Sequence, residues 1–243
     1  MTIEPIQILL LLLVGAGAGC IQRVSGFGLG IFAMLFLPHF MPTHTAAATI
    51  SCLFSLGTST YNAVKYRKNI PFKTVLPLLF GALVMIPIAV RFSVLISGDV
   101  FKIILGTVLI CLSIYFLFFD RRVRMKPTVW NGMLAGAIGG TLNGLFSTGG
   151  PPIVLYLTHA TASNLTYFAA IQFYFSLTNI YATLVRAVNG VVTAELLVYA
   201  AIGFVGCMAG DTLGRFVFDK LDAKRLKQII YIGMIISGVL MIV

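Results

Sequence analysis

Two glycine-rich strings constrain this 243-residue chain more than any other feature. GAGAGCIQRVSGFGLG at 15–30 returns as GAIGGTLNGLFSTGGP at 136–151, a constant 121 positions later, or about half the chain. The same offset lays Phe54-Ser55-Leu56 over Phe175-Ser176-Leu177. Each string interrupts a long apolar stretch. A backbone break in lipid survives only inside protein or beside a wet cavity, because its amides must be paired. Breaks at matching places in two halves are the sequence pattern of a secondary transporter's binding site.

The composition fixes the class. Hydrophobic residues make up 59% and charged residues 10%, against about 25% charged in a soluble domain. The apolar runs approach the roughly 20 residues that span a bilayer. One membrane domain over 1–243 is expected, with repeat 1 at 1–120, a basic linker at 120–128 and repeat 2 at 129–243. The net charge of +10 lies in short loops, where it sets orientation rather than binding nucleic acid. The N-terminal apolar run lacks the basic lead and cleavage site of a signal peptide, and is read as structure. Cys20, Cys52, Cys111 and Cys207 are isolated among apolar residues, so buried thiols are expected, with no disulfide, metal or cofactor. His39, His44 and His159 fall in or near loops.

Hydropathy delimits eight apolar segments: 6–37 (broken near 25–30), 45–66, 71–92, 100–119, 129–158 (broken near 147–152), 165–186, 194–218 and 226–243. If each broken stretch crosses the membrane, the repeats are parallel and the basic loop 215–227 lies outside. If each is a re-entrant hairpin, every half has three crossings and the repeats are inverted. The basic loops 65–73, 121–126 and 215–227 then all face the cytoplasm, as the positive-inside rule favours. The expected fold is therefore an all-α polytopic membrane protein of two inverted repeats. Each repeat is a broken or re-entrant helical hairpin plus three transmembrane helices. An intact tilted helix in place of each hairpin is the alternative.

The breaks carry the chemistry. Ser147-Thr148-Gly149-Gly150 precedes Pro151-Pro152. Ser or Thr suits a helix cap and Pro a first turn, so a helix start is expected near Gly150. Ser25-Gly26-Phe27-Gly28 plays the same part in the first half. Helix N-termini offer unpaired N–H groups, and two brought together by the repeat would cradle an anion. Arg23 is the only charge between Glu4 and Lys65; mid-membrane Arg costs about 2.5–3.5 kcal/mol on insertion scales. Its fork suits an oxyanion, although a snorkelling or helix-capping role competes. Gln22 aligns with Asn143, and Gly26 with Ser147. The candidate substrate-binding residues are thus Gln22, Arg23, Ser25, Gly26, Gly28, Asn143, Ser147, Thr148, Gly149 and Gly150, with interhelical hydrogen bonding the competing role for the two amides. Gln172, Asn179 and Asp211 are candidates for the path or for coupling; Gln172 and Asn179, seven apart on one helix face, have bridging of helices as the alternative. Asp211 stands four before Arg215, so an ion pair is its plainer role. Gly15, Gly19, Gly136, Gly140, Gly206, Gly210 and Gly214 form small-x3-small rows and are assigned to helix packing.

The strings GAGAGCIQRVSGFGLG and GGTLNGLFSTGGPPIVLYL resemble those of the sulfite exporter TauE/SafE family, also called the toluene sulfonate uptake permease family. The likeness covers essentially the whole chain. It implies export of sulfite, organosulfonate or a related sulfur oxyanion across the bacterial inner membrane, by alternating access around the two breaks, with protons as a plausible coupling ion. The first break departs from the richer glycine run of many relatives, a departure consistent with a different substrate within the class. The residues alone point to a small anion; the sulfur comes from the resemblance. An anion channel, or a carrier of carboxylates, has the same sequence features. An enzyme is disfavoured, because no paired carboxylates, metal cluster or nucleophile–base pair stands near the breaks. A scaffold subunit would leave the two breaks unexplained. The expected partners are the small anion and the lipid bilayer; whether the chain works as a homodimer stays open.

Overall fold

The computed structural model describes residues 4–119, 125–218 and 223–242. Most of the basic linker, at 120–124, and the centre of the basic loop, at 219–222, lie outside them. Among the described residues every regular element is helical: α1 Pro5–Ser25, α2 Leu29–Phe36, α3 His44–Lys65, α4 Phe72–Leu95, α5 Gly98–Ile114, α6 Val129–Phe146, α7 Gly150–Ala160, α8 Asn164–Val188, α9 Ala194–Phe218 and α10 Ala223–Ile242. The stretches Pro5–Arg23, Phe72–Leu95, Gly98–Leu117, Asn164–Val188 and Ala194–Gly214 are each long and apolar enough to cross a bilayer. The chain is an all-α polytopic membrane protein.

The 121-residue offset pairs α1 with α6, α2 with α7, and so on to α5 with α10. The packing repeats under that exchange: α1 lies on α9 as α6 lies on α4, and α4 touches α8 as α9 touches α3. The two long seams are parallel and closed by small residues. Gly15 abuts the Gly203 carbonyl, Gly19 that of Cys207, and Gly210 that of Ala16; a Cβ on any of the three would sit within 2.1 Å of that oxygen. On α4 and α6, Gly136 meets the Leu78 carbonyl and Gly140 meets Ala82. In lipid, where apolar side chains gain little by meeting one another, such close backbone approach is what joins helices. The equivalent helices α3 and α8 instead run antiparallel. Thr60 pairs with Ser176 at 2.9 Å, Cys52 lies beside Thr183, and the Tyr66 ring meets Phe168 edge-on. The α5–α10 pair is antiparallel too, with Gly106 against Ile242 and Gly238 against Ile110.

Within a largely apolar core, polar side chains gather on the central helices, and apolar ones cover the outside. Thr49, Ser51, Thr58, Ser59, Asn62, Gln172, Thr178 and Asn179 are buried on α3 and α8, while Leu9, Phe80, Ile88, Trp130 and Leu134 face outward. The rows of Ser and Thr make α3 too polar to pass as a lipid-facing span, and it is central. Neighbouring helix ends are tied at both levels. His44 Nε2 donates to the Ser93 carbonyl (3.1 Å) and its ring stacks on Phe101, gathering the start of α3, the end of α4 and the start of α5. Phe72 meets Phe173 edge-on near the other level.

Candidate functional site

Each broken stretch folds as a long limb, a three-residue turn and a short limb. In the first, α1 ends at Ser25 and Gly26 takes the left-handed conformation (φ 77°), its N–H bonded to the Gln22 carbonyl. Gly28, also left-handed (φ 96°), opens α2. Ser25 Oγ lies against the carbonyls of Ile21 and Phe27, so it braces the turn from within. In the second, α6 ends in the same way at Ser147 (φ 57°), the position equivalent to Gly26. Ser147 is the sole non-glycine with positive φ among the described residues, a conformation that costs an L-residue about 1–2 kcal/mol. Its side chain offsets this, since Ser147 Oγ donates to the Ala48 carbonyl at 2.7 Å. The α7 helix begins at Gly150, as the prolines predict, but its cap is Gly149 and no Ser or Thr side chain caps it.

The two turns meet. A Cβ on Gly30 would stand 1.8 Å from the Ser147 carbonyl, and one on Gly150 would stand 2.9 Å from the Phe27 side chain. Between them lies a cavity of about 20 Å³, where one water needs about 10–15 Å³ by the same measure. The first half contributes Gln22 and Phe27 to Ile31; the second contributes Asn143 and Ser147 to Gly150; Ser55 and Phe175 close the sides. The N–H groups of Leu29, Gly30 and Ile31, in the first turn of α2, have no backbone acceptor among the described residues. The same holds for Gly149 and Gly150, while Pro151 and Pro152 have no N–H to offer. Thr148 is 2% exposed, and its Oγ1 is unpartnered on the cavity wall. Bare donors and an orphan hydroxyl around one small space favour an acceptor-rich, negatively charged occupant.

Buried amides hold the turns in place. Gln22 Nε2 donates to Gln172 Oε1 (3.1 Å), whose own Nε2 donates to the Gly26 carbonyl (2.9 Å). Asn143 Nδ2 donates to Asn179 Oδ1 (3.1 Å), and Asn179 Nδ2 donates to Ser55 Oγ (2.8 Å). Thus Gln172 and Asn179, expected to line the path or to bridge helices, tie α8 to both breaks.

Of the residues singled out from sequence, Gln22, Gly28, Asn143, Ser147, Thr148, Gly149 and Gly150 line the cavity, and Ser25 and Gly26 shape its rim. Arg23 does not line it. Arg23 is half-buried in the last turn of α1, with its guanidinium 5.8 Å from the Phe168 ring centre. Asp211 is buried on α9 in the α1 seam, also off the cavity; the side chain of Arg215, its expected partner, is outside the description. Phe27, Leu29, Gly30 and Ile31, which run on from the first break, line the cavity without having been singled out, and three residues elsewhere in the chain were missed as well. Ser55 and Phe175 belong to the second repeated string, which marked the site without being assigned to it. Arg186 reads in sequence as a helix-end residue, yet it is 2% exposed. It donates to Ser147 Oγ (3.3 Å) and to the carbonyls of Asn143 (3.2 Å) and Gly144 (2.9 Å). Its signal was spacing: Gln172, Asn179 and Arg186 recur every seventh residue, on one face of α8.

Residues 11–241 match the family described as Sulfite exporter TauE/SafE. The chain is also 26% identical, over 91% of its own length and 89% of the relative's, to a protein of Cupriavidus necator named "Probable sulfite/organosulfonate exporter TauE". No solved structure matches.

Proposed function

The chain belongs to the sulfite exporter TauE/SafE family, and from that premise we propose that it is a secondary transporter moving sulfite, an organosulfonate or a related sulfur oxyanion out across the inner membrane. The substrate is held between the two breaks. One observation carries the reading: turns from separate halves wall one small cavity with bare amides on both sides. Three-oxygen anionic heads match donors that converge in this way. The cavity has room for only a water or two, so a sulfonate enters only when the walls part. That requirement supports alternating access over an open pore.

The antiparallel pairing of the equivalent helices α3 with α8 and α5 with α10 supports inverted repeats, because only an axis lying in the membrane plane reverses a helix. With α1 parallel to α9, α4 parallel to α6 and short connections between neighbours, residues 65–73, residues 125–128 and the helix ends that flank 219–222 fall at one level. The positive-inside rule makes that level cytoplasmic. Each hairpin then enters and leaves on one side. Arg23, beside Phe168 near the cytoplasmic level, steers anions toward the cavity in this arrangement, and Asp211 is the candidate for proton coupling. The test is flux in proteoliposomes of the purified chain. Saturable methanesulfonate or sulfite transport, driven uphill by an imposed proton gradient, is expected. Flux that never saturates and cannot be driven uphill would make the protein a channel.

A further inference from the structure

Arg186 is a buried cation without a buried anion. Among the described residues it donates to one hydroxyl and two carbonyls and lies beside the Cys52 thiol, and none of these is a carboxylate. Buried charges are ordinarily paired, since removing an ion from water costs several kcal/mol even after relaxation. Capping the end of α6 does not require the charge. The equivalent turn at the end of α1 has the same left-handed cap, and there a neutral amide, Gln172, serves its carbonyl at 2.9 Å. The repeat does not duplicate the charge either: the position equivalent to Arg186 is Lys65, which is exposed and lies near the rings of Tyr61 and Tyr66. The guanidinium stands directly behind Ser147, a wall of the cavity whose lining residues are otherwise uncharged.

The charge balance can be counted. Each break joins the C-terminus of one helix to the N-terminus of the next, so the opposed macrodipole ends largely cancel. One formal positive charge remains behind the cavity wall. We infer that Arg186 is the fixed counter-charge of the substrate site, and that it selects singly charged sulfur oxyanions, such as sulfonates and hydrogensulfite, over doubly charged ones. This rests on the transporter reading above. A neutral ligand leaves the guanidinium unpaired. A dianion brings a second negative charge into low dielectric with nothing to meet it. Only a monoanion leaves the site neutral. Ser147 fixes where the guanidinium sits: its hydroxyl accepts from Arg186 and donates a hydrogen bond to the Ala48 carbonyl.

Three ligands with four-substituted sulfur and similar size separate charge from shape: dimethyl sulfone (neutral), methanesulfonate (singly charged) and sulfate (doubly charged). Apparent affinities are read from thermal stabilisation of the purified full chain, and flux from proteoliposomes. The wild type is expected to bind methanesulfonate at least tenfold tighter than either of the others. Arg186→Gln, which keeps a donor and loses the charge, is expected to bring methanesulfonate down to the level of the sulfone, while Arg186→Lys keeps the preference. Loss of capping alone would weaken all three ligands together. An unchanged preference in Arg186→Gln, or a wild type that favours sulfate, overturns the inference. If Arg186→Gln does not fold, the rankings of the wild type and Arg186→Lys decide it alone. Equal binding of all three with sulfonate flux intact removes charge matching and leaves the transporter standing. Neither binding nor flux of any sulfur anion removes the transporter reading itself.

Discussion

Ser147 and Thr148 are neighbours with opposite roles. Ser147 is held in a strained conformation by two hydrogen bonds, one of them charge-assisted. Ser147→Ala keeps the strain and removes both bonds, so a loss of about 2–3 kcal/mol is expected from the usual cost of breaking a buried bond to a charge. Ser147→Gly relieves the backbone and should melt above Ser147→Ala; the reverse order in detergent melts would mean that the φ of 57° is not strained. Thr148 holds nothing in place, because its buried hydroxyl has no partner. Thr148→Val fills the same volume and removes an orphan group whose burial costs about 1–3 kcal/mol. Stability is expected to hold or rise while affinity for methanesulfonate falls. A Val variant that binds as tightly as the wild type would show that the hydroxyl does not meet the ligand.

The helices show what the sequence disclosed and what it withheld. Glycine and proline act locally, so the ends of α1 and α6 and the start of α7 at Gly150 were legible from punctuation alone. The small-residue rows disclosed that α1, α6 and α9 have faces for close approach, but not which helix meets which. That depends on distant chain, and nothing local says that α1 belongs with α9. Arg186 was hidden for a related reason: an arginine in a final turn ordinarily reaches water, and only the packing around α8 prevents it. The seams allow a direct test. Gly210→Ala places a methyl 1.9 Å from the Ala16 carbonyl, where the backbone cannot yield as a side chain would. A loss of about 1–3 kcal/mol or more is expected from overpacking. Gly190→Ala is the control. It has open space around it and a φ of 71°, so only about 1–2 kcal/mol of conformational cost applies. Equal melting temperatures for the two variants would mean that the seam is loose.

At the scale of the molecule, the repeat made the two-fold organisation legible, while the antiparallel pairing of α3 with α8 emerges only in three dimensions. The orientation it supports is measurable. Lys68 and Asn189 are exposed near opposite ends of the bundle. With native thiols removed, Lys68→Cys should react with a membrane-impermeant reagent only from the cytoplasmic side, and Asn189→Cys only from the outer side. Labelling of both from one side would exclude three crossings per half.

The glycine seams have a further consequence. The first helix of each half is zipped to the fourth helix of the other, α1 to α9 and α6 to α4, so neither half contains the surface its own leading helix needs. A polypeptide of half this length could bury that helix only by packing it into the fourth helix of a second copy of itself.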